Sequence, residues 1–138
     1  MRQVLADQRG TVTLWVLGLA IAMLGLGGLS VDLWRIMAER AEVAVIADSA
    51  AVAGASGVDV PHFRSTGEIL LDPGDAVFLA DQILAGEDVV VRAMDVGAQT
   101  MVVELEREVP FTLLRVLTFG QETSLTVAVI GRATALGS

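Results

Sequence analysis

The chain has 138 residues, of which 54% are hydrophobic, and a formal net charge of −8. This length leaves room for one small domain besides a membrane segment, and the acidic balance argues against nucleic acid as a partner, because such a partner needs a basic surface to displace its counterions. The absence of cysteine excludes disulfides, thiolate metal sites and a cysteine nucleophile.

The uncharged segment Thr11–Val31 is the most apolar part of the chain, and Arg9 and Asp32 bracket it closely. About 21 residues of helix at ~1.5 Å each span roughly 31 Å, close to the hydrocarbon thickness of a bilayer. We therefore predict a transmembrane helix over residues 11–31, preceded by a cytoplasmic tail over residues 1–10.

A cleaved signal peptide is the alternative to a retained anchor. The apolar run is longer than the core of an ordinary signal peptide, and Ala-x-Ala sites lie either inside the run or far beyond it. A retained single-pass anchor in the inner (cytoplasmic) membrane is the better reading. The short N-terminal tail and the large acidic remainder favour the N-terminus inside and the C-terminal domain outside.

Three small residues, Gly18, Ala22 and Gly25, recur within this segment at helical spacing. Small residues on one face let a second helix approach closely, which is a main source of helix association in lipid. Glycine is also simply common in membrane helices, so the spacing has an explanation without a partner.

The helix is expected to continue beyond the membrane, because residues 32–56 contain no proline and only one glycine, Gly54. We predict an extramembrane extension over residues 32–57, with Asp32 and Arg35 able to pair at i,i+3. From Val43 onward the extension is rich in Ala and Val, so it should pack against the C-terminal domain or neighbouring copies. Its one charge there, Asp48, either faces solvent or pairs with a buried arginine.

Residues 58–138 are predicted to form a small extracytoplasmic α+β domain. Its first part, residues 58–72, has loop signals, and its lone histidine, His62, is assigned no role. A helix then starts with Asp72 as its cap and Pro73 in its first turn, and ends at Gly86. Helix capping explains the nearby aspartates better than a calcium site does, since the alternating oxygen ligands of a calcium loop are missing.

Three strands are predicted in the last third: Asp88–Asp95, Thr100–Val109 and Ser124–Ile130. Phe111–Phe119 is an apolar connection, with a short helix as one option. The middle strand alternates apolar residues with Glu104, Glu106 and Glu108, which a solvated face explains better than a pair of catalytic carboxylates does. The predicted fold class is α+β: a long N-terminal helix and a short second helix packed on a three-stranded antiparallel sheet.

No pattern in the sequence points to catalysis. There is no Gly-rich phosphate loop after a strand, no nucleophile or zinc-protease motif, and one histidine alone does not make a metal site. We expect no enzymatic activity, no cofactor and no metal.

Three sequence blocks together resemble the N-terminal region of TadE/TadG-like proteins, minor pseudopilin-like components of the Tad (tight adherence, Flp-type) pilus machinery. The blocks are RGTVT at Arg9–Thr13, VDLWR at Val31–Arg35, and ADSAAVAGA at Ala47–Ala55. The positions that match the family pattern are Gly10, Asp32, Arg35, Asp48, Ala50, Ala51, Ala53, Gly54 and Ala55. The resemblance implies a pseudopilin-like fold and a structural subunit, a homo- or hetero-oligomer that packs against pilin or pseudopilin-like subunits and assembly-platform proteins.

Two positions depart from the family pattern. Prepilin processing cuts after a glycine and favours glutamate five residues further on. A cut between Gly10 and Thr11 would place Trp15, not glutamate, at that position. Val43 and Ala44 also replace a usual Leu-Gln pair. These departures favour an uncleaved or TadG-like protein. The alternative function is an envelope-anchored binding or sensing module that docks partners on its acidic sheet face.

Overall fold

The computed structural model describes the backbone of residues 4–111 and 124–135, and the side chains from residue 11 onward within those ranges. The elements are, in chain order, α1 (Val4–Ala55), α2 (Val60–Thr66), α3 (Pro73–Leu84), β1 (Val90–Val96), β2 (Thr100–Pro110) and β3 (Ser124–Thr134). The predicted α+β class is confirmed. Nearly all of the predicted connection Phe111–Phe119 lies outside the described residues.

The chain divides into two compact units, each considered by itself below. The first unit comprises Met1–Arg35 with Pro110–Thr123, and the second comprises Ile36–Val109 with Ser124–Ser138. α1 contributes residues to both units.

α1 is the long helix predicted from the sequence, and it is continuous for 52 residues. It begins at Val4 rather than after the polar tail, because residues 4–10 contain good helix formers and no proline. By length and composition its Thr11–Ala55 part can cross a membrane, and the most apolar stretch of that part is not buried within the protein. The predicted end near Gly54 or Gly57 is confirmed.

The prediction of a loop over residues 58–72 is wrong in part, because α2 forms there. Asp59 caps this helix by accepting a hydrogen bond from the His62 backbone N–H at 2.9 Å. Gly67 closes it in the left-handed region (φ 75°) and donates its N–H to the Phe63 carbonyl. Caps at both ends supply partners for the terminal backbone groups that a short helix leaves unpaired.

α3 begins as predicted. The Asp75 backbone N–H donates to Asp72 Oδ1 at 2.9 Å. Pro73 occupies the first turn, where a backbone N–H would have no acceptor within the helix, so the missing N–H of proline costs nothing. The helix ends at Leu84, two residues earlier than expected, and Gly86 adopts φ 96° in the turn that follows. Its buried face consists of Ala76, Ala80 and Leu84.

The three strands form one sheet in the order β1-β2-β3. β1 pairs antiparallel with β2, and a bulge at Arg92 interrupts their register between Val91 and Ala93. The alternation predicted for β2 is confirmed, since Met101, Val103 and Leu105 are fully buried. β3 is four residues longer than predicted.

The core of the second unit lies between the C-terminal half of α1, α3 and the inner face of β2. Its buried members on α1 are Val43, Ala47, Ala50, Ala51 and Ala55, and these contact Ala80 and Leu84 of α3 and the apolar residues of β2. Of the two packing partners predicted for the extension, the C-terminal domain of the same chain is therefore the one observed.

Candidate assembly surfaces

The predicted packing face of the segment 11–31 makes few contacts with the described residues. Gly18 and Ala22 are exposed and Gly25 is half-buried. A Cβ atom built on Gly18 or Gly25 would meet no other atom within 4 Å, counting the described residues beyond the helix backbone itself. Neither glycine is therefore needed for packing against the described residues.

Asp32, which directly follows the predicted span, is buried in its unit. Only 3% of its surface is exposed, although its neighbours Val31 and Leu33 are largely exposed. Asp32 and Arg35 both have interaction partners in the structure. A buried carboxylate is costly unless it is paired, so the interactions of Asp32 stabilise it within its unit.

The Ala-rich block of α1, Ala47–Ala55, has one buried face and one exposed face. Ala50, Ala51, Gly54 and Ala55 are buried in the core of the second unit. Asp48 is exposed, so of the two alternatives for this residue the solvent-facing one is correct.

The small side chains of this block allow other elements to lie directly on the helix backbone. A Cβ atom on Gly54 would lie 2.8 Å from Met101 Cγ and 3.0 Å from the Ala76 carbonyl oxygen. Strand β3 also approaches the backbone of this block. A Cβ atom on Gly131 of β3 would overlap the carbonyl group of Ala47 and lie 2.7 Å from the Asp48 backbone nitrogen. The block therefore serves packing within the chain, where any larger residue would separate α1 from the sheet.

Arg107 joins β2 to α1 and was not identified from the sequence. Its Nη1 donates to Glu39 Oε2 at 3.1 Å and to Glu42 Oε1 at 3.0 Å, and its Nε donates to the Asp88 carbonyl oxygen at 2.8 Å. The side chain is only 12% exposed. The hydrogen bond that Arg107 donates to Glu42 is the main factor that raises the pKa of Arg107, against the opposing effect of burial.

A signal for this site was present in the sequence. Arg107 has the same strand parity as Met101, Val103 and Leu105, so its guanidinium points to the face that packs on α1. A charge on a core-facing position requires an opposite charge nearby, and the charged stretch of α1 was the available source.

The predicted acidic face of β2 is partly neutralised. Arg92 Nε lies 2.7 Å from Glu106 Oε1, and this hydrogen bond is the main factor that raises the pKa of Arg92. Glu104 is half-buried and Glu108 is exposed. The face is thus less acidic than its three glutamates predict.

His62 belongs to no cluster of metal-binding side chains among the described residues. Its Nε2 lies 3.8 Å from Glu68 Oε2, which is too far for a hydrogen bond, and no described residue hydrogen-bonds to that nitrogen. Among the described residues, no group of three or more histidine or acidic side chains is placed to hold a metal ion.

The face of α1 that points away from the core carries a second row of small and apolar residues. We call this row the outward stripe; it consists of Ala38, Ala41, Val45, Ser49 and Val52, all of them exposed. Val45 and Val52 retain 66% and 62% of their surfaces. Asp48 borders the stripe midway between the two valines.

Comparison with known proteins identifies the N-terminal part of the chain. Residues 10–57 match the family model Tad, described as putative Flp pilus-assembly TadE/G-like, over about a third of the chain. The resemblance inferred from the sequence blocks is thus confirmed. No curated protein and no solved structure matches the chain. The Tad-like segment and a helix long enough to cross a membrane together support a role in pilus assembly and association with a membrane.

Proposed function

We propose that this protein is a membrane-anchored, minor pseudopilin-like subunit in the assembly of a Tad/Flp-type surface pilus or related secretion machinery. The observation that carries the proposal is that the Tad-like residues 10–57 coincide with the part of α1 that can cross a membrane and then enters a folded domain. The role is structural and requires no catalysis. Residues 1–10 form the cytoplasmic tail, 11–31 the span, 32–57 the extension and 58–138 the outer domain.

The partners in this proposal are other pilin or pseudopilin-like subunits and assembly-platform proteins. The span contacts them through the face that contains Gly18, Ala22 and Gly25, since helices in lipid associate through close packing of small residues. A Cβ atom at Gly18 or Gly25 would meet nothing in the described part of the chain, which supports a role for these positions between chains.

The proposal is tested in the cells that make the protein, by deleting its gene and by introducing larger side chains on the packing face. We expect deletion to abolish surface pili. Gly18→Ile with Ala22→Ile should reduce piliation roughly tenfold, because helix contacts in lipid are worth about 1–2 kcal/mol. Ala20→Ile, the same kind of change on the opposite side of the helix, is the matched control and should leave pili intact. Normal piliation after deletion would refute the proposal.

The alternative of a binding module with an acidic docking face has weaker support. Glu106 is paired with Arg92, and Glu104 is half-buried, so little of that surface offers an unopposed charge. Charge reversal at Glu108 that removed partner binding but left piliation normal would favour this alternative.

A further inference from the structure

The surface of α1 directly beyond the predicted membrane span is apolar and exposed. Leu33, Trp34 and Met37 retain 52%, 74% and 73% of their surfaces. They follow Val31, the last residue of that span, by roughly 3–9 Å along the helix axis. The headgroup layer of a bilayer is about 5–7 Å thick on each side, and tryptophan is enriched there because its ring is apolar with one polar group. The apolar surface of the span therefore continues into the headgroup layer.

The acidic residues of the same stretch of α1 are buried or turned toward β2. Asp32 is only 3% exposed, and it has an interaction partner in the structure. Glu39 and Glu42 accept hydrogen bonds from Arg107 of β2 at 3.1 and 3.0 Å. The negative charges of the stretch are therefore held by contacts within the chain.

The basic residues of the stretch lie on the exposed side of the helix. Arg35 and Arg40 are both exposed. At about 100° of rotation per residue, they lie on either side of the face that carries Trp34 and Met37. The whole chain has a formal net charge of −8, so an outward surface whose charged groups are arginines differs from the rest of the molecule. Such a surface fits a negatively charged partner.

The combination of exposed arginine and exposed apolar side chains indicates which negatively charged partner fits. We call these residues the juxtamembrane patch; they are Trp34, Arg35, Met37 and Arg40, all on the continuous helix α1. Arginine binds phosphate oxygens with paired hydrogen bonds, and its long aliphatic part lets the charged group reach the headgroup layer while the Cα atom lies beyond it. A phosphate layer above acyl chains matches both kinds of side chain.

We propose that the juxtamembrane patch binds the head groups of anionic phospholipids in the outer leaflet of the membrane. Trp34 and Met37 enter the interfacial layer, and the two guanidinium groups contact the phosphates. Lipids with net negative charge are preferred because the arginines are attracted to an anionic surface, whereas a zwitterionic head group adds a positive charge beside its phosphate. This inference rests on the membrane anchoring in the proposed function and adds a lipid partner to it.

The test uses the full-length protein with Trp15→Phe, which leaves Trp34 as the only tryptophan. The protein is reconstituted in bilayers that mix phosphatidylglycerol with phosphatidylcholine, and one of the two lipids carries a nitroxide quencher near its ester carbonyl. Quenching of Trp34 fluorescence then measures how often each lipid contacts the patch. We expect a preference for phosphatidylglycerol of roughly tenfold at low ionic strength, since one arginine near an anionic surface contributes about fivefold. Added salt should reduce this preference.

Substitutions of the arginines test whether they cause the preference. Arg40→Gln should lower it at least about threefold, and Arg35→Gln together with Arg40→Gln should bring it close to one. Arg40→Lys keeps the positive charge and should retain most of the preference. Arg64→Gln is the matched control, because it removes the same charge from an exposed residue of α2, which follows the end of α1. This control should leave the preference unchanged.

Four results would overturn the inference. They are weak quenching of Trp34 by both labelled lipids, equal quenching by the two lipids, a preference that Arg40→Gln leaves unchanged, and an equal loss of preference in Arg64→Gln.

The outcome is separable from that of the proposed function. If gene deletion abolishes pili but Trp34 shows no preference for phosphatidylglycerol, the lipid inference fails and the proposed function stands. If the preference depends on Arg40 but deletion leaves pili intact, the proposed function fails, and the patch is a lipid-binding site of a membrane protein with another role.

Discussion

Single residues decide how closely the elements of the second unit approach one another. Gly54 and Gly131 both lie where a Cβ atom would meet another element, whereas Gly18 and Gly25 have space around them. Glycines of the same chain therefore have different purposes. Gly54 and Gly131 permit close contacts within the second unit, whereas Gly18 and Gly25 make no such contact with the described residues.

Gly131 provides the sharpest test of this distinction. We expect Gly131→Ala to lower the free energy of unfolding by at least about 2 kcal/mol, since the added methyl group overlaps the Ala47 carbonyl and forces β3 away from α1. Gly97→Ala is the control, because its Cβ atom would approach nothing closer than the Thr100 carbonyl oxygen at 3.4 Å. Chemical denaturation of the full-length protein in detergent measures both changes. Equal stability of the two variants would contradict the close approach.

At the scale of elements, α1 is a helix whose two ends meet different surroundings. Its first part is apolar and unburied, as expected for a segment in lipid, and its last part carries an inner row of small residues under a sheet. Arg107 fastens β2 to α1 between these regions, through Glu39 and Glu42. The connection between helix and sheet is thus made of close packing at one place and charge-assisted hydrogen bonds at another.

Arg107→Met keeps most of the side-chain volume but removes the three hydrogen bonds. We expect a loss of about 1.5–3 kcal/mol in the free energy of unfolding, because a hydrogen-bonded charge is replaced and two carboxylates lose their cation. Arg92→Met, which removes an exposed pair with Glu106, should cost less.

The pH dependence of the Arg107 contribution has a definite sign. Its pKa is raised in the folded protein, so its contribution is fully present below the ordinary pKa of arginine and is lost only as the pH rises through the higher folded value. The difference between wild type and Arg107→Met should therefore stay constant between about pH 7 and pH 9 in denaturation experiments. A difference that shrinks within this range would show that Arg107 is not the group responsible.

At the scale of the whole molecule, the proposal places a short tail on one side of a membrane and the folded domain on the other. The chain contains no cysteine, so a single introduced thiol reports its own location. Gln82 is exposed on α3 and belongs to the proposed outer domain, whereas Gln3 belongs to the proposed cytoplasmic tail.

We expect a membrane-impermeant maleimide, added to intact cells, to label Gln82→Cys and to leave Gln3→Cys unlabelled. The intact mass of the labelled protein should correspond to the full 14.5 kDa chain plus one label, because Trp15 disfavours processing after Gly10. Labelling of Gln3→Cys alone would show that the protein has the opposite orientation. A mass short of residues 1–10 would establish processing.

Sequence reasoning succeeded where local rules are sufficient. The length of α1, the cap at Asp72 and the alternation of β2 follow from periodicity and composition within short windows, and the Tad-like blocks lie within one helix. The sequence predicts a loop where α2 forms, because Pro61 and Gly67 occur both in loops and at helix ends, and local patterns alone do not separate these two uses.

The sequence by itself determined the helix that can cross a membrane, the α+β class and the family signal, since all three depend on residues close together along the chain. The tertiary structure decided which face of the Ala-rich block is buried, that Arg107 reaches Glu39 and Glu42 more than sixty residues away, and that Gly131 lies on Ala47. It also decided that Asp48 and the outward stripe stay exposed. Such contacts depend on how the sheet is placed against α1, and that placement joins residues far apart along the chain, which short-range patterns do not specify.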